Sequence, residues 1–98
     1  MGMDENSIAK DSQAIPACIL EARKQLDEID RALISLLAKR RALVMELFKE
    51  KQKLGIERFD LAREEGLIAE RRALAEREGL PGQMGEDFFR MVLEYNRI

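Results

Sequence analysis

The sequence predicts an all-α protein with one long and two shorter helices in each chain of an intertwined homodimer. Apolar residues recur every three or four positions over most of the 98 residues, which is the period of a helix face. No stretch alternates apolar and polar residues as a half-buried strand would. Charged residues make up 37% of the chain and aromatic residues only 5%, a composition typical of soluble helical proteins.

The first predicted helix covers residues 17–54. Pro16 precedes it and suits a helix start, because proline has no amide hydrogen to leave unpaired. No glycine or proline interrupts the segment before Gly55, a residue that favours the position after a helix end. The residues of the apolar stripe of this helix are Ile19, Leu26, Ile29, Leu33, Leu36, Leu43, Leu47 and Leu54.

Two shorter helices follow the first. We expect the second helix at about residues 59–78 and the third at about residues 84–98. The sequence Gly-Leu-Pro-Gly at residues 79–82 is a strong break between them. The apolar residues that mark these helices are Leu61, Ile68 and Ala75 in the second, and Phe88, Met91, Val92 and Tyr95 in the third.

The first helix is too long for a compact monomer of this size. At 1.5 Å per residue it extends about 57 Å, whereas a domain of about 100 residues has a radius of gyration of about 13 Å. Two short partner helices cannot cover its whole apolar stripe. We therefore expect an obligate homodimer, in which the long helices pair and the short helices of each chain wrap the other chain.

The composition excludes several kinds of function. Seventeen basic and nineteen acidic residues leave a net charge of −2, and no basic block favours nucleic acid binding. Because the chain has no histidine, a tetrahedral zinc site is implausible and a histidine-based catalytic triad is excluded. We expect neither a metal site nor a cofactor. Its single cysteine, Cys18, has no partner for an intramolecular disulfide.

The N-terminal segment shows no targeting pattern. Residues 1–15 are mostly small and polar, so we expect them to be disordered and to precede one helical domain at residues 16–98. No apolar run approaches the ~20 residues that a membrane span needs, and no signal peptide pattern is present. We therefore expect a cytoplasmic protein without membrane contact.

Charged residues interrupt the apolar faces of the predicted helices. Arg40 and Lys51 do so in the first helix, where eleven residues of separation make them point within roughly 20° of each other. Charges that face the inside of a helical protein need partners, and cations outnumber carboxylates at these positions. We therefore expect a small anion to bind there. Arg23 lies roughly 100° around the helix from Arg40, so we expect it to reach the site of a neighbouring chain.

Further polar residues accompany this pair. Asp60, Arg63 and Glu64 have i, i+3 and i+4 spacing, so they share one helix face, and Glu64 also interrupts the buried stripe. Asn96 lies one turn after Val92 on the third helix. Acid–base pairs at i, i+4 spacing on a helix surface are usually solvated and contribute little to stability. Periodicity alone therefore predicts only an anion-binding helical dimer.

The same residues resemble the all-helical chorismate mutases over roughly residues 19–98. Residues 26–41, LDEIDRALISLLAKRR, are similar to the first helix of that family. The second signature of the family, a lysine and then Asp-x-x-Arg-Glu, is matched by residues 51–64. Six charged residues at this joint spacing rarely occur together by chance in a helical protein.

The resemblance implies a chorismate mutase, an isomerase that converts chorismate to prephenate in phenylalanine and tyrosine biosynthesis, with two equivalent sites per dimer. It implies that Arg40 binds one substrate carboxylate and that Arg23 of the other chain binds the second. It implies that Lys51 hydrogen-bonds the ether oxygen of the substrate and helps to hold a carboxylate. The catalytic residues are then Arg40, Lys51 and Glu64. The resemblance also implies that Asp60 and Glu64 hold the hydroxyl region of the substrate and that Arg63 helps to order the site. Asn96 lies at the position where the family has a small polar residue on the last helix.

The chain departs from the family at one position. The family usually carries Gln or Glu one turn after Asn96, and this sequence ends at Ile98, before that position. We expect a domain cut from a longer protein, an enzyme completed by another group, or a binder that has lost much of its catalysis. Residues 69–76 resemble mutase domains fused to a prephenate dehydrogenase, which favours the first.

Two alternatives to the mutase stay open. One is an isochorismate-pyruvate lyase of the same fold. The other is a mutase-like regulatory or dimerisation module without turnover. A plain coiled-coil adaptor would bind no dicarboxylate.

Overall fold

The computed structural model describes residues 14–97. Three α-helices account for most of them: α1 spans Ala17–Leu54, α2 spans Leu61–Arg77 and α3 spans Gly82–Asn96. The predicted all-α class is confirmed within this part of the chain, and α1 has the predicted bounds. The disorder expected for residues 1–15 falls mainly on residues 1–13, which lie outside the described residues.

The starts of α2 and α3 differ from the predicted positions by two residues. Asp60 has extended backbone angles, and its Oδ1 accepts a hydrogen bond from the backbone N–H of Arg63 at 3.0 Å. Asp60 is therefore the N-cap of α2, and the helix begins after it. Gly82 belongs to α3 rather than to the break, because Pro81 precedes the first helical turn and its carbonyl accepts from the N–H of Met84 at 3.0 Å.

The end of α1 reverses the chain sharply. Gly55 has a φ of 71°, a conformation that glycine adopts without steric cost. The N–H of Ile56 donates to the carbonyl of Lys51 at 2.8 Å, and that of Gly55 donates to the carbonyl of Gln52 at 3.2 Å. These two bonds satisfy carbonyl groups at the helix end. The reversal turns the loop that follows α1 back toward the last turn of the helix.

The second and third helices pack closely against each other. Leu67, Ile68 and Ala75 of α2 are buried. Gly85 of α3 is also buried, and a Cβ atom added to it would lie 2.6 Å from the Cβ of Ala75 and 2.9 Å from the carbonyl oxygen of Arg71. Only a residue without a side chain fits this contact, so Gly85 sets the distance between the two helices.

The chain divides between Lys39 and Arg40 into two units. In the first unit, the described residues 14–39 belong mainly to α1, and all of them except the half-buried Leu37 are exposed. The second unit contains the end of α1 together with α2 and α3. The residues of the apolar stripe of α1 are between 43% and 72% exposed. Of the described helices, none combines the length and the apolar character that a membrane crossing requires.

Candidate functional site

One cavity of the second unit is lined by charged residues from α1, α2, α3 and the loop before α2. Its volume is about 140 Å³. The charged and polar residues that line it are Arg40, Lys51, Arg58, Asp60, Arg63, Glu64 and Asn96. Its apolar lining residues are Val44, Leu47, Phe48, Phe59, Leu67 and Leu93. Six of the seven residues predicted from the sequence therefore line one cavity, while Arg23 lies in the first unit and is exposed.

Arg40 is a half-buried cation without a matching anion. Its Nη1 is fully buried and, among the described residues, is the one such side-chain nitrogen or oxygen that has no hydrogen-bond partner. Burial, followed by repulsion from the guanidinium groups of Arg71 and Arg63, lowers the pKa of Arg40. A buried cation without a counter-ion costs free energy. Arg40 also lines the cavity, so a carboxylate bound there would balance this charge.

Lys51 is held at the cavity by the reversal at the end of α1. It is half-buried in the last turn of the helix, and its Nζ donates a hydrogen bond to the carbonyl oxygen of Arg58 at 3.1 Å. An ammonium group has three donors. This is the one hydrogen bond of Lys51 Nζ to the described residues, so its other donors are available to an acceptor in the cavity.

The loop before α2 adds an arginine that sequence reasoning missed. The Cζ of Arg58 lies 4.7 Å from the centre of the Phe48 ring, a cation–π contact. The rings of Phe48 and Phe59 meet edge to face, with centres 5.6 Å apart. Arg58 lies outside the helical periodicity, so apolar stripes could not indicate it. Its position two residues before Asp60, in a loop beside a signature motif, was the available signal.

Asp60 and Arg63 line the cavity from the start of α2, and both are exposed. The Oδ1 of Asp60 is already engaged with the N–H of Arg63 as the helix cap. The guanidinium of Arg63 lies 4.0 Å from the carboxylate of Glu70, at the limit of an ion pair. An exposed pair of this kind holds a side chain weakly, so Arg63 remains free to turn toward an anion.

Glu64 forms the tightest ion pair among the described residues. Its Oε1 lies 2.6 Å from the Nη2 of Arg97, and the two side chains are 20% and 30% exposed. A short, charge-assisted hydrogen bond of this kind is stronger than a neutral one. Helical periodicity could not indicate this partner, because Arg97 lies 33 positions away at the C-terminal cap of α3.

The charges of the cavity fit a small dianion. Four cations and two carboxylates line it. Asp60 accepts from the N-terminus of α2, and Glu64 is paired with Arg97, so both carboxylates already have partners. The cations of the cavity are left with an excess of positive charge. An anion with two carboxylates would balance that excess.

Comparison with protein families agrees with this chemistry. The sequence model of the chorismate mutase type II family matches residues 22–97. This chain belongs to the chorismate mutase type II family. The matched region contains α2, α3 and most of α1, and all seven predicted site residues lie within it. Chorismate mutases are isomerases, so the family assignment agrees with the class of reaction inferred from the sequence.

Individual relatives support the same family. The chorismate mutase of Methanocaldococcus jannaschii is 30% identical over 79 residues, which cover 81% of this chain and 80% of that protein. The T-protein of Enterobacter agglomerans is 41% identical over 71 residues, which cover 72% of this chain and 19% of that protein. The T-protein of Haemophilus influenzae is 36% identical over 73 residues and is also covered to 19%. The chain therefore spans about a fifth of the T-proteins and four fifths of the chorismate mutase.

Proposed function

We propose that this chain catalyses the rearrangement of chorismate to prephenate. The observation that carries the proposal is Arg40, which lines a cavity with excess positive charge and whose buried Nη1 has no partner among the described residues. Chorismate carries two carboxylates and so matches that charge. Membership of the chorismate mutase type II family supports the same substrate.

The reaction requires orientation of the substrate more than it requires a nucleophile or an acid–base group. Chorismate must be held compact so that the carbon atoms that form the new bond meet, and fixed cations supply such orientation. We assign one substrate carboxylate to Arg40, whose planar guanidinium matches a carboxylate in two hydrogen bonds. We assign the second carboxylate to Arg23 of the partner subunit. No nucleophile or proton transfer is required, which is compatible with a chain that contains no histidine.

Lys51 supplies the electrostatic part of the mechanism. In the rearrangement the ether C–O bond breaks while a C–C bond forms, and negative charge grows on the ether oxygen. The ammonium of Lys51, already positioned by its bond to the carbonyl of Arg58, stabilises that charge more than it stabilises the substrate. An interaction that strengthens in the transition state raises the rate of the chemical step.

The remaining residues of the cavity complete the substrate contacts. Asp60 and Glu64 accept hydrogen bonds from the hydroxyl region of chorismate. Arg63 helps to order the site, and Asn96 contributes a polar contact from α3. All four line the cavity that Arg40 and Lys51 line, which supports one common ligand.

The proposed enzyme is a homodimer. The apolar stripe of α1 is exposed, with Leu33 at 51% and Leu36 at 60%, and a contiguous apolar face of this length is typical of an interface. Pairing of α1 with its copy would cover the stripe. It would also bring Arg23 of the partner subunit to the cavity. The cytoplasmic location stays a prediction.

The experiment that tests the function is a chorismate depletion assay with identification of the product. We expect chorismate absorbance to fall and prephenate to form in equal amount. Isochorismate is offered in parallel, and release of pyruvate from it without prephenate formation from chorismate would assign the lyase instead. Binding of a bicyclic dicarboxylate mimic of the transition state without turnover of either substrate would assign a non-catalytic module.

A further inference from the structure

Arg97 holds Glu64 at the end of α3. Its Nη2 lies 2.6 Å from the Oε1 of Glu64, and its Nη1 donates to the carbonyl of Leu93 at 3.2 Å. Its Cζ lies 4.7 Å from the centre of the Phe59 ring. These contacts fix one guanidinium to α2, to α3 and to the loop before α2. Arg97 does not itself line the cavity that Arg40 and Lys51 line.

Glu64 lies where a carboxylate could interfere with substrate binding. It lines the same cavity as Arg40 and Arg63, and Arg97 is its one ion-pair partner among the described residues. The Nη1 of Arg40 is buried and has no hydrogen-bond partner within residues 14–97. A partly buried carboxylate that loses its partner moves to another cation, because an unpaired charge away from water is costly. Released from Arg97, Glu64 would therefore turn toward the guanidinium groups of the cavity.

We propose that Arg97 is a positioning residue that holds the Glu64 carboxylate away from the cations of the cavity and so leaves them free for a dianion. This inference rests on the function proposed above. It gives Arg97 a role in binding although Arg97 makes no contact with the ligand. The cost of losing Arg97 therefore falls on substrate binding, since Glu64 and a substrate carboxylate compete for the same guanidinium.

The first test separates KM from kcat. We expect Arg97→Gln to raise KM on the order of tenfold, the effect of losing one charge-assisted contact, while kcat changes much less. Arg97→Lys keeps the positive charge and should recover part of the loss. The matched control is Arg90→Gln, which removes an arginine of the same helix that pairs with Glu65 and Glu86 instead of Glu64. Its KM should equal that of the unaltered enzyme.

The second test removes the competing carboxylate. Glu64→Gln lowers activity by itself, but a neutral amide cannot compete as an ion for Arg40. In that background, Arg97→Gln should raise KM no further. A purely structural role for Arg97 predicts the opposite result, because a loss of packing at the end of α3 would persist whether residue 64 is charged or neutral. Thermal unfolding of all four proteins reports that structural contribution separately.

The outcomes distinguish this inference from the proposed function. If the unaltered protein forms no prephenate, the proposed function fails. Calorimetric binding of the bicyclic dicarboxylate mimic then replaces KM in the same set of variants. An Arg97→Gln protein with unchanged KM and unchanged mimic affinity would overturn the inference. The inference would also be overturned if Arg97→Gln raised KM by the same factor in the unaltered protein and in the Glu64→Gln variant.

Discussion

Arg40 combines properties that a structural arginine rarely has. It lies on a helix face among apolar residues and is half-buried. Its buried Nη1 has no partner in the part of the chain that the structure describes. Its pKa is lowered by burial and then by the neighbouring guanidinium groups of Arg71 and Arg63. Each of these effects destabilises the charged form. The charge of Arg40 therefore raises the free energy of the empty site, and a bound carboxylate lowers it. This difference favours binding of an anion.

Replacement of the central cations should abolish most of the activity. We expect Arg40→Ala and Lys51→Ala each to lower turnover on the order of 10², the size of effect seen when one donor to a developing charge is removed. The measurement is the initial rate of chorismate loss at saturating substrate. Arg41→Ala is the matched control, since Arg41 neighbours Arg40 but donates to the carbonyl of Tyr95 and does not line the cavity. Near-normal turnover in either alanine variant would refute the assignment.

Asp60 has both a structural and a proposed binding role, and two substitutions separate them. Asp60→Ala removes the cap of α2 and should lower the free energy of unfolding by about 1 kcal/mol. Asp60→Asn keeps an oxygen that can accept from the N–H of Arg63, so stability should stay close to that of the unaltered protein. Both variants should lose activity. Stability is measured by urea unfolding and activity by the mutase assay. If Asp60→Asn destabilised the protein as much as Asp60→Ala, the two roles of Asp60 would not be separable as proposed.

At the residue scale, the sequence indicated the charges but not their partners. Arg40, Lys51 and Glu64 were detectable because each interrupts an apolar stripe. Periodicity could not indicate Arg97 or Arg58, because neither interrupts an apolar stripe and each contacts a residue of another part of the fold. Arg58 had a different signal, its place in the loop beside the signature motif. Which cation pairs with which carboxylate depends on distances across helices, and periodicity contains no such distances.

At the scale of the elements, the contact between α2 and α3 depends on small residues. Gly85 lies against Ala75 and the carbonyl of Arg71 so closely that a Cβ atom has no room. The helices can approach only because both contact positions are small. This approach places Leu93 and Asn96 of α3 on the cavity that Glu64 of α2 also lines.

A side chain at position 85 should therefore separate the two helices. We expect Gly85→Val to lower the free energy of unfolding by about 1–3 kcal/mol, the usual cost of overpacking, and to reduce activity by displacing α3. Gly66→Ala is the control, because Gly66 is a helical glycine of α2 whose added Cβ meets no atom within 4 Å. That change should stabilise the protein by up to about 1 kcal/mol. Equal stability of the two variants in urea unfolding would contradict the close contact.

The elements themselves were largely predictable. The bounds of α1 follow from its uninterrupted periodicity and from Gly55, which ends it at the predicted residue. The starts of α2 and α3 were each misplaced by two residues. In both cases the deciding feature was a cap, Asp60 or Pro81, and caps depend on local backbone angles that hydrophobic periodicity does not report.

At the scale of the whole molecule, the exposed apolar stripe of α1 is the reason to expect a homodimer. A glutamate in the stripe should prevent pairing of the long helices, because a charge would have to be buried in the interface. We therefore expect Leu33→Glu to sediment as a monomer or to unfold, and to lose activity because Arg23 of the partner subunit is no longer supplied. The control is Arg31→Glu, an exposed position outside the stripe. A stable folded monomer of the unaltered protein in sedimentation would refute the dimer.

The sequence by itself determined the helical class, the length of α1 and most of the charged residues that line one cavity. These features are encoded locally, in the spacing of apolar residues, in the glycines and proline between helices, and in charges placed on apolar stripes. Only the tertiary structure decided that the Nη1 of Arg40 finds no partner among the described residues while Glu64 is held by Arg97. That outcome depends on how closely α2 and α3 approach and on where the chain turns after Lys51, because burial and ion pairing are properties of distances between helices.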